Sequence, residues 1–95
     1  MNIIVYGKTA QIASMRLQSM LDDMKYGDIL KVRKSINNMA VELKNGDYYT
    51  TAITSDNSRG TRCQIAYVPE NVDQEFLDNI VYPCLIGEHS EVRYY

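Results

Sequence analysis

The chain reads as an α/β protein: one small domain, residues 1–95, on a mixed β-sheet of about five strands with two main helices. Three observations predict this. Short runs of β-branched and aromatic residues alternate with stretches of helical periodicity, the order that builds layered α/β sandwiches. Asn45-Gly46 separates two runs in which apolar and polar residues alternate, the strongest short hairpin signal, so a β-hairpin is inserted in the sheet. At 95 residues, 45% apolar and 23% charged, the chain has material for one core.

Each element has its own reason. NIIVY (2–6) is short, β-branched and apolar on both faces, so it reads as a buried strand that Gly7 ends. From Thr9 to Met24 the period changes. Ala13, Leu17, Met20, Leu21 and Met24 recur at spacings of three and four and form one helical stripe. Thr9 is the expected N-cap; Ile12 at the third helical position excludes a capping box, and Gly27 sits where a helix stop belongs. ILKVRKS (29–35) reads as a strand with one wet face. In NMAVELK (38–44), Met39, Val41 and Leu43 point one way and Ala40, Glu42 and Lys44 the other. A two-residue type I′ turn at Asn45-Gly46 would set Leu43 opposite Tyr48, Glu42 opposite Tyr49, Val41 opposite Thr50 and Met39 opposite Ala52. SDNSRGT (55–61) is a polar loop, and CQIAYV (63–68) a buried strand that Pro69 ends. A helix is expected over 73–81, with Phe76, Leu77 and Ile80 on one face and Pro83 as its limit. The tail EVRYY reads as a short edge strand or a frayed end.

No apolar run is long enough to span a bilayer, and no secretory signal is visible, so the expected compartment is a cytoplasm, that of a bacterial host if the chain is phage-encoded. Cys63 and Cys84 are then expected as reduced, buried thiols. Charge is uneven. Residues 1–62 hold nine Lys/Arg against six Asp/Glu, whereas residues 63–95 hold Arg93 against six carboxylates. The acidic third, with Glu70, Asp73, Glu75 and Asp78, would repel phosphate and attract a basic partner surface. Lys31, Arg33, Lys34, Arg59 and Arg62 could instead gather into a basic patch for nucleic acid. Eight tyrosines, a residue enriched at interfaces and in strands alike, stand beside one phenylalanine.

Familiar catalytic constellations are missing from the sequence. The one histidine, His89, lies in a polar tail segment, and no Cys/His group has zinc spacing. Gly7-Lys8-Thr9 follows a strand and opens a helix, as a phosphate-binding loop does. That loop needs a glycine at position 2, where Asn2 stands, and residues 3–6 are strand. CQIAYV ends in Pro69-Glu70, where nucleoside triphosphatases place a metal-binding acid followed by a catalytic base. Glu70 could be the base; proline cannot hold a metal.

Taken together, residues 2–71 resemble part of the ATPase domain of the large terminase subunit of tailed phages. Lys34, Ser35, the Asn45-Gly46 hairpin, Ser55, Arg59, Gly60 and Glu70 fall on that pattern. The resemblance implies a truncated, degenerate ATPase core: no Walker A loop, Pro69 at the Walker B aspartate, and no nuclease domain. The implied protein is not an enzyme and takes no cofactor or metal. It would act by binding a host or phage protein, as an inhibitor of host defence of the anti-CRISPR type; the alternative is a nucleic-acid-binding or DNA-packaging accessory module.

Overall fold

β1 (Asn2–Gly7) lies inside the sheet because it is apolar on both faces: Val5 packs toward one helix, Ile4 and Tyr6 toward the other. In the computed structural model, which describes residues 1–24, 28–35, 38–54, 62–87 and 90–95, the chain continues through α1 (Ala10–Asp22), β2 (Ile29–Lys34), β3 (Met39–Leu43), β4 (Tyr48–Ile53) and β5 (Ile65–Val68). A second helix covers residues 74–84, and β6 (Glu91–Tyr94) closes the chain. The sheet has six strands in the order β2-β3-β4-β1-β5-β6. β4, β1, β5 and β6 run parallel to one another; β3 is antiparallel to β4, and β2 is antiparallel to β3. The mixed α/β architecture is as the sequence predicts, with six strands rather than five because the tail forms an edge strand.

α1 begins where Thr9 Oγ1 accepts from the Ile12 N–H at 3.1 Å, the expected cap. Its stripe of Ala13, Leu17 and Leu21 is buried against β1 and β4, with Met20 and Met24 partly buried alongside. The helix needs Gly7: a Cβ there would stand 2.5 Å from the Ala13 backbone nitrogen. Gly27, the expected stop, lies outside the described residues.

The hairpin forms, one residue out of the expected register. Leu43 N–H donates to the Asp47 carbonyl at 2.9 Å and Gly46 N–H to the Leu43 carbonyl at 3.1 Å. The loop is therefore three residues, Lys44 to Gly46, and the pairs are Glu42 with Tyr48, Val41 with Tyr49 and Ala40 with Thr50. Within this loop only Gly46 takes a positive φ, +97°, so a type I turn followed by a glycine bulge replaces the I′ turn. Asn45 contributes a side chain instead: its Oδ1 accepts from the Asp47 N–H at 2.9 Å. This register sets Tyr49, in place of the expected Thr50, opposite Val41 on the α1 face.

The second helix departs from expectation at its end. It is capped by Asp73, whose Oδ1 accepts from the Glu75 N–H at 3.0 Å. After Gln74–Phe76 it widens into a π-helical turn, Leu77–Val81, and returns to α geometry over Tyr82–Cys84. It thus runs through Pro83, the expected limit. In a wider turn the donor pattern shifts by one residue, as in the Tyr82 N–H bond to the Leu77 carbonyl. Phe76, Leu77, Ile80, Val81 and Cys84 are buried, the first four in one cluster with Tyr6, Cys63, Ala66 and Val68. Tyr6 and Phe76 meet edge to face at 5.5 Å.

The core therefore has two parts, one on each face of the sheet, with β1 contributing to both. Coverage is uneven: α1 lies over β1 and β4, while the second helix packs on residues of β1 and β5. The outer strand β2 is exposed from Leu30 to Lys34.

Candidate binding surfaces

Three places gather chemistry. The first is the end of the sheet where the parallel strands finish. β1 and β5 are neighbours, and their connections leave on opposite faces, through α1 and through the second helix. Open α/β sheets have a crevice at such a divide. Here it measures about 220 Å³ and is lined by Lys8, Thr54, Pro69, Asn71, Val72, Asp73 and Phe76. The Thr54 N–H donates to the Gly7 carbonyl at 2.9 Å and closes the strand end. Gly7-Lys8-Thr9 serves the strand-to-helix turn: Gly7 admits α1, Thr9 caps it and Lys8 is exposed. Glu70, the candidate base, is exposed and does not line the crevice; its N–H donates to the Tyr95 carbonyl at 2.9 Å. Asp73 lines it, with one oxygen engaged in capping. Among the described residues no three His, Cys, Asp or Glu side chains are placed to hold a metal ion.

The second place is β2. Lys31 pairs with Glu42 and Arg33 with Ala40, so these two cations share the face turned away from α1. Tyr48 stands beside them, and the five residues line a shallow depression of about 110 Å³. Lys34 pairs with buried Met39 and lies on the α1 face. Arg62 is exposed just before β5, four strand spacings from β2, or roughly 19 Å. Arg59 lies outside the described residues. The fold thus keeps Lys31 and Arg33 together and sets Lys34 and Arg62 apart from them.

The third place is the second helix. Glu75 and Asp78 are exposed on it, with Asp73 at its cap. The Asp78 carboxylate accepts from the Gln74 amide at 3.0 Å. Tyr82, 45% exposed, stands near Asp78 and near Tyr94 of β6, 52% exposed. Tyr94, close enough to share a hydrogen bond, holds the Tyr82 phenol above its ordinary range, with Asp78 acting in the same direction. Sequence reading missed this pair because it joins a helix to an edge strand, a contact that no local pattern encodes.

Other tyrosines serve the fold. The Tyr95 hydroxyl donates to the Tyr6 carbonyl, and the Arg16 guanidinium lies 5.0 Å over the Tyr95 ring. Arg93 stacks on Tyr67 at 5.7 Å and donates to its hydroxyl at 2.8 Å, while also pairing with Glu91. The thiols of Cys63 and Cys84 are free and buried. No family model matches the chain, and comparisons with curated proteins and with solved structures gave no match.

Proposed function

We propose that the protein acts without catalysis, by binding the basic surface of a partner protein through the second helix and β6. The observation that carries this reading is the exposed pair Tyr82 and Tyr94, with Asp78 near Tyr82 and with Glu75 and Asp73 on the same helix. Tyrosine brings large contact area at low entropic cost, and such residues dominate interface energetics. Carboxylates around it select a cationic partner and speed encounter. The finer reading, a phage-encoded inhibitor of host defence, rests on the terminase resemblance of residues 2–71.

The test is comparative capture. The full chain and the Tyr82→Ala/Tyr94→Ala double variant, both checked for folding by thermal melting, are immobilised and exposed to bacterial lysate at two salt concentrations. The expected result is a basic protein held by the native chain, weakened by salt and lost from the variant, with affinity reduced at least tenfold, about 1.4 kcal/mol. Equal capture by both chains ends the proposal. In parallel, titration with ATP and magnesium should give no heat; nucleotide turnover that Glu70→Gln abolishes would replace binding with catalysis.

A further inference from the structure

A second interaction surface, independent of the tyrosine pair, lies at the opposite edge of the sheet. Among the described residues, β2 has β3 on one side and no strand on the other. Unpaired strand edges carry a row of N–H and C=O groups able to take another strand. Residues 30–34 are all exposed, including Leu30 at 60% and Val32 at 48%. The side chains are sorted by face: Lys31 and Arg33 on the side away from α1, Val32 and Lys34 on the α1 side beside Val41 and Met39.

Charge decides what this edge can accept. β2 carries Lys31, Arg33 and Lys34 and no carboxylate; Asp28 directly precedes it, and Glu42 lies across the ladder from Lys31. Pairing two copies edge to edge would bring three cations from each chain together, and like charges on paired strands are destabilising. A segment in which carboxylates alternate with apolar residues meets the opposite situation. Its acids fall beside Lys31 and Arg33, and its apolar residues extend the face that holds Val32. Nucleic acid would satisfy the cations but leave the backbone groups and Val32 unmatched.

The geometry points to β2 as an acceptor edge for an extended, acidic-apolar segment of another protein, which adds to the sheet as a seventh strand. Main-chain hydrogen bonds would supply affinity, and Lys31 and Arg33 would supply choice of partner. This surface belongs to β2 alone, so it stands or falls apart from the Tyr82–Tyr94 reading.

The test uses the full chain and two synthetic peptides, one alternating valine with glutamate and one alternating valine with lysine. The expected result is binding of the glutamate peptide with slowed amide exchange across residues 29–34. Lys31→Glu/Arg33→Glu, two exposed changes checked by thermal melting, should weaken that peptide at least tenfold and confer binding of the lysine peptide. Equal affinity for the two peptides overturns the proposal, as does protection that appears elsewhere than β2. Concentration-dependent self-association with β2 protected would assign the edge to a second copy. A single-stranded oligonucleotide that binds through Lys31 and Arg33 while the glutamate peptide does not would assign it to nucleic acid. Either result overturns the acidic-segment assignment.

Discussion

Gly7 shows how a residue can resemble a functional motif while meeting a packing need. In Gly7-Lys8-Thr9 the glycine lets α1 approach β1, and any Cβ would meet the Ala13 backbone at 2.5 Å. Backbone atoms cannot swing aside as side-chain ends do. Gly7→Ala should therefore cost about 1–3 kcal/mol, read as a lower urea midpoint with the m-value unchanged. Cys63 gives a pH signature. Burial first, then the neighbouring Cys84, pushes its thiol from 9.0 up to about 11. The unfolded chain loses this proton at lower pH, so stabilisation from the neutral thiol is whole below about pH 9 and disappears as pH rises toward 11. Urea midpoints should fall over that window, and Cys63→Ala should show the shallower fall. Burial of both cysteines was legible in the sequence. Their closeness was not, because it comes from the long-range bridge of Cys63 with Leu85.

At the scale of elements, periodicity located both helices and every main strand, and Thr9 marked the start of α1. What it left undecided was geometry within elements. Asn-Gly is compatible with a two-residue I′ loop and with a three-residue loop whose glycine comes last. The choice falls to which β4 residue packs with Val41, a tertiary matter; Tyr49 is the one that joins that cluster. Since Gly46, and not Asn45, has a positive φ, +97°, Gly46→Ala should destabilise by about 1–2 kcal/mol. Asn45→Ala should lose only its exposed side-chain bonds to Asp47, one to the N–H and one to the carboxylate, about 1 kcal/mol or less. Thermal melts of the two variants, with Gly46→Ala lower, would check the turn assignment. Pro83, by contrast, does not limit the second helix as expected: α geometry continues over Tyr82–Cys84 after the π turn, and Leu77, Ile80 and Val81 are held in the core.

Across the whole molecule the fold turns a sequence asymmetry into a spatial one. Among the described residues, the cations of the first two thirds of the chain do not become one patch, because strand order separates β2 from Arg62. The acidic third stays together because it builds one helix and the adjoining edge strand. β1 leaves the ribosome well before its neighbours β4 and β5, which are Tyr48–Ile53 and Ile65–Val68. For the seconds of translation between them, Asn2–Gly7 is an apolar ribbon with neither flank occupied. A stalled nascent chain ending before Ile65 should remain open to protease, and one that exposes β5 and β6 outside the exit tunnel should resist it. Cells making this protein would need to shelter that opening ribbon until its last neighbour arrives.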